Sequence, residues 1–242
     1  MPRTPSDEPA IDLLARLDLE RNNVRLTRRK RTSDAPLAER VDLPSHWLEV
    51  RLHRLSASID YGSSERATLD GSGVPILRMG NIVGRKISMS DLKYLRQEQT
   101  DPNLVLAPGD LLFNRTNSAE LVGKNAIFHG SERPMTFASY LIRVRPLPSS
   151  DLRWVSIVLA SNFGQRYLAS VRSQQTGQAN INGTKLADAP IPLPPIAEQR
   201  CIIEKVDGLM QICDELEFAL GAAQDHLRRA LEELLHRAMY AA

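Results

Sequence analysis

The sequence predicts an α+β protein, a mixed α/β domain followed by one long C-terminal helix that reads as a coiled coil. Two patterns carry that expectation. In the tail, Ile202, Val206, Leu209, Cys213, Leu216, Leu220, Ala223, Leu227, Ala230 and Leu234 recur at steps of four and three without a miss, the heptad seam of a coiled coil. In the middle, Ala138, Tyr140, Ile142 and Val144 alternate with Ser139, Leu141, Arg143 and Arg145, the period of a half-buried strand.

Three pieces follow in order. Residues 1–40 hold a short helix over 9–24, with Ile11, Leu14, Leu17 and Val24 near one face, and a basic linker, "RLTRRKRTSDAP". Residues 41–195 form the mixed domain, with strands expected over 74–83 and 135–146. A helix is expected over "SSDLRWVSIVLASNFGQRYLASV", with residues 149–151 as cap candidates. The stretch "QQTGQANINGTK" has two glycines and no charge before Lys185, so it reads as a loop. "PIPLPP" reads as a short extended exit that no helix crosses.

Residues 196–242 are the seam helix. At about 1.5 Å per residue the seam from 202 to 234 spans about 48 Å. Gly208 and Gly221 each cost a helix about 1 kcal/mol; with Ala222 and Ala223 they point to backbones in close approach. The helix over 9–24 is long enough to cover about half of that stripe.

Composition narrows the function classes. A chain of 242 residues, 42% hydrophobic, can build a sizeable core. It has no apolar run approaching the roughly 20 residues of a membrane span. Its N-terminus shows no charged-then-apolar leader pattern. Cys201 and Cys213 fall twelve residues apart in one expected helix, about 18 Å, too far for a disulfide with each other. A cytoplasmic, reducing setting is therefore expected. The net charge of +2 is segregated: residues 41–195 carry an excess of four positive charges, and residues 196–242 an excess of four negative ones. A basic body joined to an acidic arm fits polyanion binding by the first and protein contact by the second.

Catalytic signatures are missing from the sequence. There is no G-x-x-x-x-G-K-[ST] phosphate loop, no G-x-G-x-x-G fingerprint and no G-x-S-x-G elbow. The five histidines (His46, His53, His129, His226, His236) are dispersed, and no Cys/His cluster has zinc spacing. "LPPI" at 193–196 is similar to the Asn/Asp-Pro-Pro-aromatic motif of amino-methyltransferases, but it lacks both the leading amide or acid and the stacking aromatic. No catalytic residue, bound metal or cofactor is expected in this chain.

A series of motifs then resembles a known family. "LPSHW" at 43–47, "YGSS" at 61–64, "PILRMGNI" at 75–82, "LKYL" at 92–95 and "GDLLFNRTNSAELVGK" at 109–124 occur in order. "FASYLIRVRP" at 137–146, "GQANING" at 177–183 and "IPLPPIAEQ" at 191–199 complete the series. Over residues 41–235 the chain closely resembles one target-recognition domain, with its following conserved helix, of the specificity subunit of type I restriction–modification systems. A full subunit alternates two such domains with two helices, so the resemblance implies a half-subunit. It further implies a domain that grips one half of a bipartite double-stranded DNA site. Two methyltransferase subunits, each carrying S-adenosylmethionine, would dock along it, and an ATP- and Mg-dependent motor-nuclease subunit can join. The assembled complex would be an adenine-N6 methyltransferase and, with the motor, an endonuclease.

That frame gives the polar runs a purpose. Arg can pair with guanine O6/N7, and Asn or Gln with adenine N6/N7. The candidate DNA-contacting residues are Arg78, Asn81, Arg115, Thr116, Asn117, Lys124, Gln178, Asn180, Asn182 and Lys185. Asn114, Thr116, Asn117, Asn180 and Asn182 can equally serve as turn residues, and Arg143 with Arg145 can line a basic surface. Base-reading positions vary most within the family, so residues in shared motifs can be phosphate-gripping or architectural. The pairing candidates are Ile202, Val206, Leu209, Cys213, Leu216, Leu220, Leu227 and Leu234, joining two chains antiparallel. The rival readings are a stand-alone coiled-coil DNA-binding regulator and an enzyme with an unrecognised site. Co-purification with methyltransferase subunits separates the first, and activity of the pure chain the second.

Overall fold

A computed structural model of the protein describes residues 8–24, 43–118, 121–175 and 178–240. The expected basic linker at 25–36 lies outside the described residues. The chain divides into a body, Met1–Gln199, and a helical unit, Arg200–Ala242.

The body opens on α1 (Ala10–Asn23), whose buried residues are Ala10, Leu13, Leu14 and Leu17. This corrects the expected face: Ile11 is 59% exposed, and Leu13 stands where it was placed. The i, i+4 pairs 10/14 and 13/17 make the stripe, and Ile11 falls to its side. The helix is tied to the body by the Arg54–Asp18 ion pair and by Glu20, which accepts from the Ser149 amide and hydroxyl.

Strands β1 (Leu48–Arg51), β2 (Ser56–Tyr61), β3 (Val74–Leu77), β4 (Ile82–Val83), β5 (Lys86–Ile87) and β6 (Lys93–Leu95) follow. Next come β7 (Leu111–Asn114), β8 (Thr116–Asn117), β9 (Asn125–Ile127), β10 (Thr136–Phe137) and β11 (Leu141–Pro146). Then α2 (Leu152–Ala160), α3 (Asn162–Val171), β12 (Ser173–Gln175), β13 (Gln178–Asn180), α4 (Gly183–Ala187) and β14 (Pro190–Leu193) lead into α5 (Ile196–Tyr240). The mixed α+β class is as the sequence predicted.

The central sheet is antiparallel, in the order β2-β11-β7-β9. A second sheet, β10-β3-β6, pairs β10 with β3 in parallel. Its Leu77 and Phe137 join Leu112, Ala126, Phe128 and Leu141 in one apolar cluster, while α2 lies against β7 and β9. With cover on both faces, Leu141 to Val144 are buried throughout, so the half-buried alternation expected over 135–146 does not hold. That run is also not one strand. It breaks at a turn over 138–140, where Tyr140 is 51% exposed.

The second inward position on β11 is a charge. Arg143 is 2% exposed and donates to Asp60 Oδ2 (2.7 Å), Asn103 O (3.0 Å) and Val105 O (3.1 Å). Arg145 reaches the buried Asp110 (3.3 Å), whose other oxygen accepts from the Ala107 amide (2.9 Å). Arg143, offered for a basic surface, therefore belongs to an internal ion cluster, while Arg145 reaches into it from a half-exposed position. Burying a guanidinium is tolerated only with this degree of pairing.

Three other boundaries shift. The run 74–83 stops at Leu77, enters a 3-10 turn over Met79–Asn81, and resumes as β4. The helix expected over 149–171 is two, since Ser161 ends α2 and its hydroxyl caps α3 at the Gly164 amide. Asp151 does cap α2, accepting from the Arg153 amide (2.9 Å). The expected loop "QQTGQANINGTK" contains β13 and α4 instead, because β8 offers an edge for its polar backbone to pair with. "PIPLPP" is extended as expected, and its β14 pairs antiparallel with β1.

The helical unit, taken alone, continues α5 without a break to Tyr240. At 45 residues the helix is about 68 Å long. Along the seam Ile202 and Val206 are half-buried, Cys213 is exposed, and Leu209, Leu216, Leu220, Leu227 and Leu234 are 57–73% exposed. Gly208 and Gly221 face open space. Among the described residues no helix is long and apolar enough to cross a membrane.

Candidate nucleic-acid interface

The polar run after β7 divides at its first residue. Asn114 closes β7 at 1% exposure, and neither its amide nitrogen nor its oxygen has a hydrogen-bond partner among the described residues. Its backbone clamps the following loop, donating to Lys124 O (2.8 Å) and accepting from the Gly123 amide (2.9 Å). Gly123 has φ +94° with the Leu168 side chain against it, a position that glycine suits.

Beyond Asn114 the chain enters β8, which pairs with β13 in the register Thr116↔Asn180 and Asn117↔Ala179. β13 pairs in turn with β12. The two polar segments that the sequence keeps more than fifty residues apart thus share one three-stranded sheet. Directly opposed residues point to the same face, so Thr116, Asn180 and the exposed Gln178 line one side. Asn117 shares the other with buried Ala179, and its Oδ1 accepts from the Ser118 amide (2.8 Å).

Arg115 joins this sheet to the rest of the body. Its guanidinium donates to Ser139 O (3.3 Å) and Asn180 Oδ1 (3.4 Å), with its carbon 4.8 Å from the Tyr61 ring centroid. Asn180 passes the chain on through Nδ2 to Thr116 Oγ1 (3.0 Å). Tyr61 carries no polar-run signature beyond its place in "YGSS", so nothing in the local pattern marks it as the platform for Arg115.

Asn182 and Lys185 lie at the start of α4. Asn182 is its N-cap, Oδ1 accepting from the Lys185 amide (2.9 Å). The Lys185 carbonyl accepts from the Tyr167 hydroxyl (2.6 Å). Burial first, then the Asp188 charge, push the Tyr167 hydroxyl up to about 12, so it stays a donor. Lys124 is exposed.

Arg78 and Asn81 are not part of this group. Asn81 is 3% exposed, accepts from the Arg78 amide (2.9 Å), and donates to Ser88 O (3.1 Å) and Ser90 O (2.8 Å). That amide staples the turn before β4. The Arg78 guanidinium donates to Asp91 O (2.6 Å). Among the described residues no His/Cys/Asp/Glu group could hold a metal ion.

Residues 60–221, well over half of the chain, match the family model of the type I restriction modification DNA specificity domain. The chain belongs to this family. Among curated specificity-domain relatives, the EcoEI type I restriction enzyme specificity subunit of Escherichia coli is 28% identical over 95% of this chain and 41% of its own length. A putative MjaX specificity subunit of Methanocaldococcus jannaschii is 29% identical over 66% of this chain and 39% of its own. The chain spans about two fifths of the length of these relatives. A solved structure of a type I R-M system, described for its complex assembly and conformational transition, superposes with a TM-score of 0.64 at 20% identity. It covers 95% of this chain and 53% of that one. The HsdS subunit from Thermoanaerobacter tengcongensis gives 0.55 at 21%, covering 87% and 46%. The mixed α+β fold is shared with both.

Proposed function

We propose that the chain is the DNA-reading part of a cytoplasmic type I restriction–modification assembly, recognising one half of a bipartite site without catalysing a reaction itself. One observation carries this reading: in a chain of the DNA specificity domain family, residues 116–117 and 178–180 meet on one sheet. Groove reading needs polar side chains held in fixed geometry, with cations around them for phosphate. Thr116, Asn180 and Gln178 supply the first, and Lys124 and Lys185 the second. Arg115, held by Tyr61 and Asn180, orients the sheet, while Asn117 and Asn182 shape its turns. Arg78 and Asn81 brace a separate turn.

The proposal extends to assembly. Two copies pair antiparallel through α5 along Ile202, Val206, Leu209, Cys213, Leu216, Leu220, Leu227 and Leu234, which would place two recognition bodies on one DNA. Charge along the helix favours that direction. Residues 207–217 hold Asp207, Asp214, Glu215 and Glu217 with no basic residue, whereas residues 226–237 hold His226, Arg228, Arg229, His236 and Arg237 beside Glu232 and Glu233. Antiparallel pairing sets the acidic half of each helix against the basic half of the other. Methyltransferase subunits bound along this frame supply S-adenosylmethionine and methyl transfer, and a motor subunit supplies ATP- and Mg-dependent cleavage.

The test is to co-express the chain with a type I methyltransferase subunit and map methylated adenines across the host genome. A bipartite motif with an unread spacer is expected, palindromic if the pair is a homodimer. Methylation that is unchanged when the chain is omitted would overturn the reading.

A further inference from the structure

We infer that Tyr140 is an additional specificity-determining residue, an aromatic that packs on base edges in the groove beside the polar sheet. The inference rests on the DNA-reading function proposed above. Tyr140 is the only exposed Phe, Trp or Tyr among the described residues of the body. Its hydroxyl has no hydrogen-bond partner among them either. Scattered exposed apolar residues need no explanation. This one differs because its backbone is held from both sides.

On one side, Gly62 packs so tightly that an added Cβ would lie 2.3 Å from Phe137 O and 2.4 Å from Ala138 O. Ser63 donates to Phe137 O (2.8 Å), and Ser139 donates back to Ser63 O (2.8 Å). On the other side, the Arg115 amide donates to Tyr140 O (3.1 Å) and the Arg115 guanidinium to Ser139 O (3.3 Å). Within the turn, the Leu141 amide donates to Ala138 O (2.9 Å). These bonds fix the backbone of the turn and keep Tyr140 at its surface.

The ring is therefore presented in advance on a residue whose own carbonyl accepts from Arg115, which itself bonds Asn180. Tyrosine offers a rigid apolar face for a thymine methyl and a hydroxyl for a polar edge, at small entropic cost. A pure phosphate contact would use neither.

The test selects duplexes from a library with a randomised window, using the full chain and its Tyr140→Ala and Tyr140→Phe variants. The unmodified chain should enrich a motif. Tyr140→Ala should enrich the same motif with one position relaxed and bind the best sequence about tenfold more weakly. Affinity for a scrambled duplex and the salt dependence should not change, and Tyr140→Phe should keep most of the preference. An unchanged motif at unchanged affinity for Tyr140→Ala would overturn the role of Tyr140 alone, as would equal loss on scrambled DNA. An unmodified chain that enriches no motif would overturn the DNA reading and this inference with it.

Discussion

The Tyr61 side chain touches both polar segments at once: its ring lies 4.8 Å beneath the Arg115 guanidinium, and its hydroxyl accepts from the Gly183 amide at 2.6 Å. Residues far apart in sequence are thus aligned by one aromatic on the edge of the central sheet. Arg115→Ala removes the stack and two charge-assisted hydrogen bonds. It should cost about 1–3 kcal/mol in urea unfolding and lower the affinity for the target sequence as well.

Lys124 and Lys185 should behave as phosphate contacts. Replacing either with Ala should weaken target and scrambled duplexes alike. Each replacement should reduce the slope of log affinity against log salt by about 0.9. A change confined to one base position, measured by titration at several salt concentrations, would make that lysine a base reader.

Asp110 is the hub of the internal ion cluster, 0% exposed and facing both Arg143 and Arg145. Asp110→Ala leaves a buried guanidinium under-paired and should destabilise the body by about 3–5 kcal/mol. Equilibrium denaturation measures it, and a loss below 1 kcal/mol would mean that Asp60 suffices alone.

Alkaline titration should expose the Tyr167 contact. Its folded pKa, about 12, lies above the ordinary 10.0, so its contribution to stability is full below pH 10 and fades as pH rises towards 12. The melting temperature should fall across that window, and Tyr167→Phe should flatten the fall. Equal slopes in both proteins would locate the alkaline loss elsewhere.

Leu216 and Leu220, 64% and 60% exposed, test the pairing of helices. Leu216→Asp with Leu220→Asp should give monomers in sedimentation while the body melts at its usual temperature. An unmodified chain that stays monomeric at tens of micromolar, with methyltransferase bound or without, would rule the pairing out.

The long helix α5 is legible in the sequence because helical spacing is local and repeats many times. The body's strands are short, and their burial is decided by partners distant in sequence. Nothing in "LIRVRP" shows that Asp60 and Asp110 will receive its arginines. Asn81 and Asn180 are the same amide in a polar stretch; the first braces backbone and the second faces Arg115 and Thr116. Residue type was readable, but orientation depended on the sheet. The loop expected over 174–185 became strand and helix because β8, a two-residue strand no pattern announces, supplied an edge.

The pairing of β1 with β14 has a further consequence. Leu48 lies opposite Leu193 and Arg51 opposite Pro190, so the chain enters and leaves the domain at adjacent points. Everything between Arg51 and Pro190 is a cassette closed by its own clasp. Domains whose ends adjoin tolerate exchange, because the flanking chain stays where it was. A different insert could be grafted between these two strands without altering where α5 begins.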